Sequence, residues 1–232
     1  MRTMKEELKS KANSEKAKIL SGFFKTGKGE YGEGDVFLGV VVPELRKIAK
    51  KYSGIDSMEV GELLNSKIHE ERLCALFILI GHYKKADLEQ REKIVRFYLA
   101  NTKNINNWDL VDLSAPNILG DYLLDKDRVV LYRLVKSENL WERRIAVLLT
   151  FTFIREGQFK DSLRIFAILL KDKHDLIHKA VGWMLREIGK RDVNVLRAFL
   201  NKHYKEMPRT MLRYAIEKLD EKERKGFLER KI

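Results

Sequence analysis

Two tryptophans, a carboxylate and a series of cations recur in register along this 232-residue chain. Five segments resemble one another: Glu71-Arg72-Leu73-Cys74-Ala75, Asn107-Trp108-Asp109-Leu110-Val111, Arg143-Arg144-Ile145-Ala146-Val147, His178-Lys179-Ala180-Val181-Gly182 and Leu212-Arg213-Tyr214-Ala215-Ile216. Their second residues are Arg72, Trp108, Arg144, Lys179 and Arg213, spaced 36, 36, 35 and 34 residues apart. One helical turn later the column reads Leu76, Asp112, Leu148, Trp183, Glu217. Equivalent positions of stacked repeats line one surface, so the spacing predicts that these groups share a side. A pure packing scaffold would more often use Leu or Ala there. The competing reading is that Trp108 and Trp183 pack between repeats and the cations form a solvated rim.

Other chemistries find no support. His174 and His178 have i,i+4 spacing, but the HExxH pattern is absent and no third metal ligand is evident. The five histidines are read as surface residues. No Ser-His-Asp or Cys-His arrangement is readable, and no lysine stands apart as a lyase nucleophile. Gly27-Lys28-Gly29-Glu30-Tyr31-Gly32 matches GxGxxG in letters. A dinucleotide loop needs a strand before it and a helix directly after it. Here a helix ends at Phe23-Phe24-Lys25 and a strand-like run follows, so that reading is rejected.

Helical periodicity covers nearly the whole chain. It predicts helices over 3–12, 14–25, 42–53, 57–65, 68–84, 87–102, 106–123, 126–136, 140–156, 159–171, 175–190, 193–203, 208–219 and 220–229. Asn139, Asp175, Asp192 and Pro208 stand at expected helix starts. Val36–Val42 is apolar enough for a strand, but no second run exists to pair with it. It is read as an ordered loop leading into the Pro43 helix. The expected fold is all-α, a single HEAT-like solenoid domain over residues 1–232, with six or seven stacked helix pairs of about 35 residues.

Composition narrows the partner. The formal charge is +12. Up to Pro116 there are 20 basic and 17 acidic residues, and from Asn117 onward 26 and 17. A basic second half favours nucleic acid, although a Lys/Glu-rich surface can serve solubility alone. The longest stretch without a charged side chain, Leu73 to Tyr83, is far shorter than the 18–20 or so residues a membrane-spanning helix needs. The opening Met1-Arg2-Thr3-Met4-Lys5-Glu6-Glu7 has no apolar segment behind it, so no secretory leader is expected. The lone Cys74 excludes an internal disulfide; a buried thiol in a reducing cytoplasm is expected.

Four segments carry a family resemblance. They are Tyr31-Gly32-Glu33-Gly34-Asp35-Val36-Phe37-Leu38-Gly39-Val40 with Pro43-Glu44-Leu45-Arg46; Asn107-Trp108-Asp109-Leu110-Val111-Asp112; Trp141-Glu142-Arg143-Arg144-Ile145-Ala146; and Lys179-Ala180-Val181-Gly182-Trp183-Met184-Leu185-Arg186-Glu187. Together they resemble the AlkD-type DNA alkylation repair family of HEAT-like-repeat DNA glycosylases. The resemblance implies removal of cationic N3- and N7-alkylated purines from duplex DNA, with the lesion largely stacked. It implies functional roles for Trp108, Asp112 and Trp183. It places a phosphate-binding arginine on Arg144, or on Arg143 one residue earlier, and a family tyrosine on Tyr31. Some members of the family lack glycosylase activity.

On that reading Asp112 offsets charge developing on the sugar and orients or deprotonates water, while Trp108 and Trp183 hold the deoxyribose. Lys179, Arg186, Lys190, Arg191 and Arg213 are expected to neutralise phosphates. The expected partner is double-stranded DNA, bound by a monomer without metal, cofactor or membrane. The alternatives are a non-catalytic DNA-binding repeat protein and a scaffold for an acidic protein partner.

Overall fold

A computed structural model describes residues 3–229; Met1 and Arg2, which open the segment read for a leader, lie outside the described residues. The fold is all-helical. Fourteen α-helices are present among the described residues, with no strand there beyond one isolated parallel bridge between Val36 and Ile68. The chain forms two compact units, one running to Ser114 and the other starting at Ala115.

The first unit holds α1 (Met4–Ser10), α2 (Ser14–Phe23), α3 (Val42–Lys51), α4 (Ser57–Leu64), α5 (His69–Lys85), α6 (Leu88–Ala100) and most of α7 (Trp108–Ala115). Side-chain caps fix the starts of α1, α2, α4 and α6. Thr3 and Asp56 form full capping boxes with Glu6 and Glu59, and Asn13 and Asp87 accept from Lys16 and Gln90 N–H groups. Helix α5 is the centre of this unit and packs against α3 and α4. Its Leu73, Leu76 and Ile78 are fully buried, as are Leu45 and Leu64 opposite. Each such side chain contributes about 1.5–3 kcal/mol on leaving water. Cys74 lies in the same core; burial pushes its thiol up to about 12, which keeps it protonated and inert.

The second unit holds α8 (Val129–Leu134), α9 (Leu140–Arg155), α10 (Lys160–Ile168), α11 (Asp175–Gly189), α12 (Val193–His203), α13 (Arg209–Ala215) and α14 (Glu221–Glu229). Helix α11 lies between α9 and α13. Gly182 permits the second contact: a Cβ there would sit 2.5 Å from the Met211 carbonyl and 2.5 Å from Tyr214 Cβ. The starts at Asn139, Asp192 and Pro208 stand as expected. At α11 the cap is His174, whose Nδ1 accepts from the Leu176 N–H, and Asp175 is the first helical residue.

The span expected as one helix over 106–123 is broken. Helix α7 gives way to a π turn over Pro116–Gly120, where the Asp121 N–H reaches the Pro116 carbonyl five residues back. Proline lacks the N–H that a regular α-helix would use there. Thr152 on α9 donates to the same carbonyl at 2.8 Å.

Val36–Val41 is the ordered loop the sequence suggests. It lies between the starts of α2 and α5. Gly39 takes φ of +83°, and a Cβ there would lie 2.2 Å from the Asn13 carbonyl. On the other side the loop ends on Glu70. Its buried Oε1 accepts N–H groups from Gly39 at 2.8 Å, Leu38 at 3.0 Å and Val40 at 3.2 Å. The glycine-rich turns before it also bind their own carboxylates: Gly27 N–H donates to Glu30 and Gly29 N–H to Glu33.

Candidate functional site

Trp108 and Asp112 lie one turn apart on α7, and both are half-buried. The helix begins at Trp108, whose N–H donates to the Asn107 side chain at 2.8 Å. The indole is held by aromatic neighbours. It stacks on Phe24 at 5.0 Å with 16° between planes, and the Phe23 ring meets it edge-on at 5.7 Å. Phe24 stacks in turn on Phe37 at 5.1 Å, and Phe37 on the His69 imidazole at 4.5 Å. Four rings thus run from half-buried Trp108 to buried His69. Phe23 stands outside the stack and is 60% exposed.

His69 is a correction to the expectation of surface histidines. It is 2% exposed, because the loop before α3 covers the N-terminus of α5. Its Nδ1 lies 3.2 Å from Asp35 Oδ2 and its Nε2 2.8 Å from Asp109 Oδ2. Arg72, one turn along α5, pairs with Asp35 Oδ1 at 2.7 Å and donates to the Ser66 carbonyl at 2.9 Å. Asn107 donates to Asp35 Oδ2 at 3.3 Å, and Asp109 Oδ1 accepts the Leu110 N–H at 2.9 Å.

Burial alone would push the His69 proton off. Hydrogen bonds to Asp109 and Asp35, with the Asp109 charge, outweigh it and hold the imidazole above the ordinary histidine value. Burial likewise raises Asp35, but the His69 hydrogen bond, the Arg72 and His69 charges and Asn107 bring its carboxyl below the usual range.

Arg72 was expected on a cationic surface with Trp108; it is 3% exposed and belongs to this buried network. The sequence motifs at 31–40 and 107–112 therefore meet. Asp35 from the first joins Asn107 from the second directly, and Asp109 through His69. Asp112 is near enough to Tyr98 for its charge to raise the phenol further, beyond the rise from burial. Tyr98 is fully buried and shares a 2.8 Å hydrogen bond with Ser114. Tyr31 is half-buried in the turns before the loop.

In the second unit Trp183 is half-buried on α11. Its Nε1–H donates to Glu187 Oε1 at 3.2 Å, and Phe151 lies 6.1 Å away. Glu187 is buried and also receives Lys190 at 2.6 Å, with Arg191 at 3.7 Å. Arg144 is 5% exposed and donates to the Leu176 carbonyl at 2.6 Å. Arg143 reaches Asp172 at 2.7 Å and the Ser137 and Glu138 carbonyls. Both arginines thus hold the approach to α11. Lys179 pairs with Asp175 at 2.7 Å, Arg186 pairs with Glu217, and Arg213 is exposed.

Sequence reasoning did not find Phe24, Phe37, His69 or Asp109 as supports of Trp108. No sequence signal marked them: the run His69-Glu70-Glu71-Arg72 reads as a solvated helix start, and its burial emerges only in the fold. Among the described residues no group of three or more His, Cys, Asp or Glu is placed to hold a metal ion. No helix among them is long and apolar enough to cross a membrane.

The fold is shared with solved structures. One is described as a predicted DNA alkylation repair enzyme from Enterococcus faecalis, with TM-score 0.71 and 17% identity over 91% of this chain and 98% of that one. AlkD2 from Streptococcus mutans gives 0.58 and 19%, covering 94% and 100%. The smu.31 protein of the same species gives 0.56 and 20%, covering 77% and 93%. At such identities these likenesses speak for the fold. No curated protein matches the chain. The family model described as DNA alkylation repair enzyme matches residues 4–219, nearly the whole chain, and the protein belongs to that family.

Proposed function

We propose that this protein is a monofunctional DNA glycosylase, hydrolysing the N-glycosidic bond of N3- and N7-alkylated purines in duplex DNA without full base flipping. The observation that supports it best is the half-buried carboxylate of Asp112 one turn from an indole locked in a ring stack. An N3- or N7-alkylpurine is a cation and departs as a neutral base, so its leaving group needs no proton. The barrier lies in positive charge growing on the deoxyribose. Asp112 offsets that charge and orients or deprotonates the attacking water. Trp108 lends the sugar a π face, and the family resemblance gives Trp183 the same role.

Phosphate contacts fall first to exposed Arg213, while Lys179 and Arg186 give up Asp175 and Glu217 to reach a phosphate. Arg144 and Arg143 are buried or engaged with carbonyls and carboxylates, so their part in binding runs through the α11 approach unless they exchange partners on DNA. Tyr31 is assigned to the DNA-facing loop. The protein acts as a cytoplasmic monomer without metal or cofactor. The test is incubation with methylated duplex DNA and chromatography of released bases. Release of 3-methyladenine and 7-methylguanine supports the reading. DNA affinity without release favours a non-catalytic DNA-binding protein.

A further inference from the structure

We propose that His69 is a positioning residue for Asp112 and Trp108, working as a doubly donating imidazolium that clamps the loop's Asp35 to Asp109 of α7. The inference rests on the glycosylase reading, because the pair it positions is the one that reading makes catalytic.

The argument starts from donor counting. A carboxylate only accepts, and a neutral imidazole has one N–H and one lone pair. Both ring nitrogens of His69 face carboxylate oxygens, at 3.2 Å and 2.8 Å. A neutral ring would therefore turn a lone pair toward Asp35 or Asp109 in a buried place. Only the imidazolium satisfies both. The charged groups facing it are Asp35 from the loop, Asp109 from α7 and Arg72 from α5 itself. With His69 protonated the four charges sum to zero, which is the condition for burying them. Phe24, at the C-terminal cap of α2, and Phe37 of the loop close the ring from outside the charged set.

The mechanical consequence follows from sequence adjacency. Asp109 is the next residue after Trp108 and one turn before Asp112 and Leu113 on the same short helix. Asn107 precedes it and binds Asp35 as well. The start of α7 is thus fixed on both sides of Trp108, by Asn107 on Asp35 of the loop and by Asp109 on His69 of α5. Loss of the His69 proton sets two carboxylates around one N–H, and the first turn of α7 loosens. A displacement of about 1 Å in a catalytic group is worth roughly a hundredfold in rate.

The experiment compares wild type with His69→Gln and His69→Asn. Glutamine keeps a donor toward Asp109 and asparagine one toward Asp35, so neither spans both. Single-turnover release of 7-methylguanine is measured from pH 5.5 to 9.5, with duplex affinity measured alongside. For wild type the rate should fall as pH rises through the raised His69 value, which lies above about 6.5. Both variants should be about tenfold to a hundredfold slower at neutral pH. Both should lack that alkaline limb and bind unmodified duplex as wild type does. Long-range proton–nitrogen correlation spectra should show His69 protonated on both nitrogens at pH 7.

A neutral His69 ring at pH 7, or variants that keep the wild-type rate and alkaline limb, would overturn the clamp. Wild type that releases no base at any pH sinks the glycosylase reading instead. The clamp is then judged on emission from a Trp141→Phe/Trp183→Phe protein, which retains Trp108. That emission should titrate with His69 and should cease to do so once His69→Gln is added; a flat titration overturns the proposal.

Discussion

The Asp35 carboxylate accepts a hydrogen bond from the Asn107 side chain at 3.3 Å, joining positions 72 residues apart in the chain. The same carboxylate binds Arg72 and His69, so one loop residue ties the starts of α5 and α7 together. Asp35→Ala should therefore destabilise far beyond a surface change. It leaves buried Arg72 with only the Ser66 carbonyl and buried His69 with only Asp109, and breaking such a pair costs about 3–5 kcal/mol. Urea unfolding should show the midpoint shift. A change under about 0.5 kcal/mol, the range of ordinary surface substitutions, would contradict the network.

Stability should respond to pH at both ends. Below about 6.5 His69 is protonated in folded and unfolded chain alike, and its contribution is fully present. As pH rises toward and through its raised folded value, that contribution is lost. Asp35 behaves in the opposite sense. Its folded value is lowered, so its contribution is present above about 3.9 and is lost as pH falls through the lowered value. Unfolding midpoints of wild type against His69→Gln should converge on the alkaline side. Curves that stay parallel from pH 6 to 10 would contradict the protonated clamp.

Asp112→Asn keeps the side chain's shape and removes its charge. Release of 7-methylguanine should drop by about a hundredfold or more, the scale of losing one preorganised electrostatic group. Activity should survive EDTA. Trp108→Ala should cost less, about tenfold, since an aromatic face contributes roughly 0.5–2 kcal/mol. Wild-type turnover by Asp112→Asn would remove it from the chemistry.

Binding should weaken steeply with salt. Arg213→Ala should reduce affinity for modified and unmodified duplex alike and lower the slope of log K against log salt by about 0.9. Arg144→Ala should weaken both duplexes too, but with a loss of stability, because the Leu176 carbonyl loses its donor. An Arg144→Ala protein of unchanged stability would contradict its buried role.

Substrate range follows from the single carboxylate proposed at the reaction centre. A neutral base would leave as an anion and needs an acid. Single-turnover assays at neutral pH should show release of 3-methyladenine and 7-methylguanine, with none of uracil, hypoxanthine or 8-oxoguanine. Rapid uracil release would rule out a one-carboxylate mechanism.

Most helices were legible because they bury an apolar stripe whose period is written in the residues, although α2 has no fully buried residue. The α9 span 140–156 and its observed Leu140–Arg155 differ by one residue. The break at Pro116 was less legible, since the apolar pattern continues through it while the hydrogen bonding does not. The column residues Arg72, Trp108, Arg144, Lys179 and Arg213 all lie near the starts of helices, but the column did not foretell where their side-chain tips go. Arg72 and Arg144 share a column with exposed Arg213, yet their long side chains turn inward to partners that the column does not contain. His69-Glu70-Glu71-Arg72 reads as a solvated helix start. Only the fold reveals the loop above it, because that loop comes from a segment with no repeat partner.

Glu70 gathers the N–H groups of Leu38, Gly39 and Val40 on one carboxylate while itself lying buried at the start of α5. Those three amides belong to no helix or strand, yet opening them strips a carboxylate buried in the first turn of α5 of its donors. In deuterium exchange this irregular stretch should keep time with the core helix, and the two should be released together as one cooperative unit.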